Sequence, residues 1–256
     1  LSVGSYNGTF LGLDAAIGIG RFDFVKYYNS SSVCLKSASP ALLYINDYRC
    51  TFNLFIYTTM KSILLIVDPQ NDFITGTLAV QGAKEKMLKL SDYIRDYGHE
   101  YDYICITMDT HPVKHCSFKE NGGIWPKHCV NLTNGWEIPE YLKESLAGRY
   151  NVYMYHKGTD MNSEEYSIFN NEDGGQSLVN LLFTTQDEDS DTFVDVCGIA
   201  GDYCVLETVK GLKTIINPDH IGVLIDLVAS IDGGEKLTEF LDDNGIEYFN
   251  AGSIEY

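Results

Sequence analysis

From residue 61 onward, short runs of apolar and β-branched residues alternate with longer segments in which apolar positions recur every three or four residues. The first pattern belongs to strands buried on both faces and the second to amphipathic helices, and their alternation predicts βα units around a parallel sheet. Strands are predicted over 62–67, 103–108, 151–155, 192–199, 221–225 and 246–249, and helices over 83–97, 139–146, 175–183, 203–212 and 235–242. The expected fold class is α/β, a doubly wound, mainly parallel six-stranded sheet with helices on both faces.

Residues 1–59 break this pattern. They are rich in Tyr, Ser and Gly, nearly uncharged and without a sustained period, and Met60 stands just before the first strand. Two readings compete, an accessory N-terminal extension and a stretch that is not part of the native protein. The second is the expectation, with 60–256 as the self-contained domain.

Charge narrows the function classes. The chain carries −18 over 256 residues, and residues 61–256 alone carry −19, from 14 basic and 33 acidic side chains. Such a field repels phosphate backbones and anionic lipid, so neither nucleic acid nor membrane is an expected partner, whereas a small neutral substrate is indifferent to it. Seven cysteines without a Cys-x-x-Cys pair suit reduced thiols, and no window approaches the roughly 18 apolar residues of a membrane span. The expected location is cytoplasmic.

Ligand sites of open parallel sheets lie beyond the carboxyl ends of the strands. Asp68-Pro-Gln-Asn-Asp-Phe73 follows the first predicted strand, Asp109-Thr-His111 the second, His156-Lys157 the third and Gly201-Asp202-Tyr203-Cys204 the fourth. Singly each has a bland reading: a turn cap, a solvated lysine, a small core cysteine. Together they place a carboxylate, an ammonium and a thiol at one sheet edge, and a thiol beside a lysine or at a helix start is expected to ionise more readily than its free value of about 8.5.

A second cluster comprises Asp109, His111, His115 and Trp125-Pro-Lys-His128. Two imidazoles and a carboxylate with open positions suit Zn²⁺, Fe²⁺ or Mn²⁺. A structural zinc that also uses Cys116 or Cys129, or a loop merely rich in histidine, competes; the lack of close cysteine spacing ranks it lower, and spacing alone leaves open which histidines bind. Phe73 and Trp125 flank the two clusters, where ordinary packing and stacking on a ring are equally good readings. Cys105 and Cys197 fall inside apolar strands and read as inert, and Cys34 and Cys50 fall in the leader.

With these strings in this order, joined by His115-x-Ser-Phe118, Lys157-Gly, Tyr166-Ser-x-Phe169 and Gly198-Ile-Ala-Gly-Asp-Tyr-Cys204-Val, the chain resembles the isochorismatase-like cysteine hydrolases over about residues 61–250, and within them the nicotinamidase (pyrazinamidase) branch. The resemblance implies Asp68, Lys157 and Cys204 as catalytic triad, and Asp109, His111 and His128 as ligands of one divalent ion, zinc first and iron or manganese as alternatives. His115 matches a histidine that ligates in some members only. It further implies a cis peptide between Ile199 and Ala200, an oxyanion hole from the amides of Ala200 and Cys204, and substrate contacts from Phe73, Trp125, Tyr166 and Tyr203. The implied reaction is hydrolysis of nicotinamide, or a pyrazinamide-like amide, to the acid and ammonia through a thioester on Cys204, in a homo-oligomer. Tyr203 and Gly201 depart from residues common in relatives, and neither is in the triad.

Other readings stay in view. Relatives cleave carbamoyl or ureido amides, or act on isochorismate without the cysteine; Cys204 speaks against the latter, and the Asp109, His111 and His128 set favours a ring nitrogen over a carbamoyl group. A non-catalytic nicotinamide- or metal-binding module and a thiol redox protein complete the set, the last without an obvious resolving cysteine.

Overall fold

The five residues Ile63, Leu64, Leu65, Ile66 and Val67 are each at most 1% exposed, as befits a strand with neighbours on both edges and helices over both faces. They form most of β1 (Lys61–Val67), which pairs in parallel with β2 (Tyr103–Asp109) on one side and β4 (Thr192–Ile199) on the other. With β3 (Val152–Lys157), β5 (Ile221–Ala229) and β6 (Glu247–Phe249) the sheet runs β3-β2-β1-β4-β5-β6, all pairs parallel, as the alternation predicts. This computed structural model describes residues 61–183 and 192–252. The expectations for residues 1–59, Cys34 and Cys50 among them, lie outside the described residues.

Strand order reverses between β1 and β4, so the loops after these two strands diverge and leave a crevice between them. Right-handed crossovers then send the helices to opposite faces according to the direction of winding. α2 (Ala83–Tyr97) buries Ala83, Met87, Leu90 and Ile94, one stripe at helical spacing, and packs against α3 (Glu140–Leu146). α4 (Glu172–Leu182), α5 (Leu206–Lys213) and α6 (Glu235–Asn244) follow the later strands, with α5 against α6. A four-residue helix, α1 (Asn71–Ile74), turns the chain after β1.

Where boundaries differ from expectation the causes are local. α4 starts three residues early because the Asn171 side chain accepts from Gly174 N–H at 2.8 Å, a cap that carries the helix through a glycine pair that reads as a breaker. β5 runs four residues past the predicted end, through Asp226, whose carboxylate pairs with Lys89 and accepts Ala251 N–H at 2.8 Å. The predicted helix from residue 203 begins instead as a π-helical turn, Gly201–Val205, that feeds α5. Beside it Gly198 pairs with Val67 at φ +123°, and a Cβ there would lie 2.1 Å from the Val67 carbonyl oxygen, so only glycine lets β4 approach β1 at this point.

Candidate active site

Asp68 leaves β1 at φ +46°, a left-handed turn that asparagine and aspartate tolerate better than other side chains, and its carboxyl is completely buried. Thr107 on the neighbouring strand donates its hydroxyl to Asp68 Oδ1 at 2.7 Å. Lys157, the last residue of β3, is also fully buried, with Nζ 2.8 Å from Asp68 Oδ2, 3.2 Å from the Glu165 carbonyl and 3.7 Å from Cys204 Sγ, and in contact with Asp109 Oδ1. Cys204 lies in the π-helical turn and is 6% exposed. Carboxylate oxygens of Asp68 and Asp109 and the Cys204 sulfur all lie within 4.8 Å of one another. The structure thus brings together the three residues collected from separate strand ends.

Burial pulls the Lys157 ammonium down, but Asp109 and Asp68 outweigh it and hold the group charged well above its ordinary range. The two carboxyls it bridges differ. Burial pushes Asp68 up and Lys157 only partly reverses this, whereas at Asp109 the opposing pull of Lys157 and His111 outweighs burial and holds the carboxyl below the usual range. Asp68 is therefore the better proton acceptor of the pair. The expectation for the thiol is reversed: burial pushes Cys204 well above an ordinary cysteine, with Lys157 pulling it only part of the way back.

Asp109, His111 and His128 bring one ligand atom each within 4.8 Å of the others. His111 Nδ1 donates to the Gly158 carbonyl at 3.0 Å and His128 Nδ1 to the Pro126 carbonyl at 2.7 Å, which fixes both tautomers with the Nε2 lone pair free. His111 Nε2 is buried without a hydrogen-bond partner among the described residues, 3.6 Å from Asp109 Oδ2. An orphaned imidazole lone pair beside a second one and a carboxylate fits a borderline divalent ion. His115 is arranged differently. Its ring stacks on His111 at 4.0 Å, but Nε2 donates to the Ser163 carbonyl at 2.9 Å and Nδ1 accepts from the Ser117 hydroxyl at 2.7 Å, so both nitrogens are engaged. Cys129 is buried and Cys116 lies in the same loop, and neither belongs to the Asp109 group.

A cleft open to solvent connects the two clusters, and Phe73, Trp125, Tyr166, Ala200 and Tyr203 line it together with Asp109, His128 and Cys204. Trp125 donates its indole N–H to the Tyr166 hydroxyl at 3.0 Å and meets the Tyr203 ring edge-on at 5.0 Å, giving one continuous aromatic wall. The peptide between Ile199 and Ala200 is cis.

Against known proteins, no protein-family model matches the chain. A nicotinamidase/pyrazinamidase of Mycobacterium tuberculosis is 34% identical over 197 residues, which cover 75% of this chain and 96% of that protein. The chain belongs to the nicotinamidase/pyrazinamidase family. Two solved relatives share its fold: the pyrazinamidase of Pyrococcus horikoshii in complex with zinc (30% identity, TM-score 0.61, 74% of this chain and 99% of that one) and PnC1 from L. infantum in complex with nicotinate (28%, 0.64, 77% and 96%).

Several residues in and around this cleft escape sequence reasoning. Glu164 lines the cleft, with its carboxyl pushed up by burial and grouped with His111 and His115, yet in the sequence it is one of many acidic loop residues. Ile231 and Leu78 line the cleft from loops that carry no motif. Glu165 accepts Gly158 N–H at 2.6 Å and Asn171 Nδ2 at 2.9 Å, tying down the loop whose carbonyl orients His111.

Proposed function

We propose that this chain hydrolyses nicotinamide to nicotinate and ammonia, with Cys204 as nucleophile, Asp68 as general base and then acid, and Lys157 as the fixed cation that keeps the pair in register. The observation that carries this reading is the convergence of buried Asp68 and Lys157 on Cys204, which itself lines a cleft walled by aromatic rings. The known substrate chemistry of the family supplies the rest: the P. horikoshii relative is a pyrazinamidase and the L. infantum relative holds nicotinate.

In the first half-reaction Asp68 takes the Cys204 proton as sulfur attacks the carboxamide carbon. The amides of Ala200 and Cys204 receive the oxyanion, and Asp68 returns the proton to the departing nitrogen, releasing ammonia and leaving a thioester. In the second, the same carboxylate takes a proton from water, which attacks the thioester carbon and frees the acid and the thiol. Phe73, Trp125, Tyr166 and Tyr203 hold the ring so that the carboxamide reaches sulfur. A divalent ion held by Asp109, His111 and His128, zinc in first place with iron or manganese as alternatives, supplies a Lewis-acid partner for the ring nitrogen.

Five free thiols among the described residues suit a reducing compartment, and on that basis we place the chain in the cytoplasm. We infer a homo-oligomer as well, which sedimentation of the purified chain decides.

The deciding assay is ammonia release from nicotinamide by the purified full-length chain, its Cys204→Ala variant and a chelator-treated sample. Turnover lost in Cys204→Ala and restored to the stripped sample by added metal supports the reading. A folded, metal-loaded parent without turnover overturns it, and testing carbamoyl amides would come next.

A further inference from the structure

Two side chains just after β1, Gln70 at the N-cap of α1 and Asp72 within that helix, stand outside the proposed chemistry yet reach both ends of the candidate metal cluster. Gln70 is completely buried. Its Oε1 accepts from Asp109 N–H at 2.8 Å, while Nε2 donates to the Asp109 carbonyl and to the Trp136 carbonyl, both at 2.8 Å. One side-chain amide thus pairs with the main chain on both sides of the Asp109 Cα, which fixes where that carboxylate starts from.

Asp72 does the equivalent at the other end. Its Oδ2 accepts at 2.8 Å from the N–H of Cys129, the residue after His128, and its Oδ1 accepts from Thr77 N–H at 3.1 Å. The carboxylate packs against Gly135, where a Cβ would come within 2.0 Å of Oδ2, so only a glycine at 135 makes room for it there. The next residue, Phe73, holds its ring 5.5 Å from that of His128.

We propose that Gln70 and Asp72 are positioning residues that set the separation of Asp109 from His128, so that the segment from the base Asp68 into α1 also gauges the metal site. The proposal rests on the reading of Asp109, His111 and His128 as metal ligands given above. An apolar side chain at 70 frees the Asp109 peptide, and an amide at 72 must turn an N–H₂ toward one of two backbone N–H groups. Either change lets a ligand drift without touching it.

The test uses the full-length chain loaded with Co²⁺, comparing the parent with Gln70→Met, Asp72→Asn and, as a control in α5, Thr208→Val. The readouts are Co²⁺ affinity by chelator competition, the visible absorption bands of the bound ion, KM and kcat for nicotinamide, and the rate at which iodoacetamide labels Cys204. Gln70→Met and Asp72→Asn are expected to lower the affinity about 10- to 100-fold, the usual effect of removing a partner behind a ligand. They should also shift the bands and raise KM more than they lower kcat, while iodoacetamide labels Cys204 at the parent rate. Thr208→Val should match the parent throughout. Parent-like affinity and bands in both loop variants would overturn the proposal, as would losses matched by Thr208→Val or by an equal change in Cys204 labelling. A parent that binds Co²⁺ but does not turn over nicotinamide would sink only the substrate reading, since affinity and bands judge Gln70 and Asp72 without it. A parent that binds no Co²⁺ would sink the metal-site reading itself.

Discussion

Lys157 concentrates the electrostatics of the site. A fully buried ammonium is tolerable only because two carboxylates flank it, and the same pairing makes each carboxylate depend on the lysine. Lys157→Met removes one partner of a buried network and is expected to cost about 3–5 kcal/mol, a fall in Tm on the order of 10 °C for a domain of this size. Adding Asp109→Asn should recover part of that loss because one uncompensated charge disappears, and thermal denaturation of the two variants checks both statements. Recovery of nothing would mean that Asp109 is neutralised by something else. The thiol gives a second prediction. Since burial pushes the Cys204 thiol up, its labelling by iodoacetamide should be slow at neutral pH and rise only above the ordinary cysteine value of about 8.5. Lys157 is the chief group favouring the thiolate, so Lys157→Met should move that rise to still higher pH; a move to lower pH would remove the lysine from the thiol's environment. Asp68, Lys157 and Cys204 could be collected from the sequence because each stands just past the end of a predicted strand. Gln70, Asp72 and Thr107 were not, because their partners are main-chain groups and a carboxylate distant in sequence.

At the scale of elements, strands and helices were legible where the burial period is unbroken, as in β1 and α2. They blurred where a side chain overrides propensity: Asn171 capping α4, Asp226 carrying its charge within β5. The turn at 201–205 could not be read as π-helical, because one extra residue per turn leaves the apolar spacing too short a run to register. The approach of β4 to β1 at Gly198 has a sharper signature, a glycine at the end of an apolar run, two residues before Ala200. Gly198→Ala combines a disfavoured φ with a Cβ against the Val67 carbonyl, about 1–3 kcal/mol for each. Thermal denaturation should show a Tm lower by on the order of 10 °C, and kcat/KM should fall more than Tm alone explains, because the distortion reaches Asp68 through β1 and Cys204 through β4. Parent-like kinetics in a destabilised Gly198→Ala would uncouple the strand contact from the site.

For the whole molecule, the strong negative charge bears on the substrate and the product differently. A neutral amide enters a field of −18 without cost, whereas its product is a carboxylate that the same field repels. The Debye length shrinks from about 30 Å at 0.01 M salt to about 8 Å at 0.15 M, so the repulsion is strong in the first condition and largely screened in the second. KM for nicotinamide should accordingly stay within about twofold between these conditions, while inhibition by added nicotinate should tighten as salt rises. Initial rates at the two salt concentrations, with and without nicotinate, measure both. Inhibition that weakens with salt would mean that the local cation Lys157 governs the bound carboxylate more than the surrounding acidic surface does. In that case the net charge would bear on solubility rather than on product release.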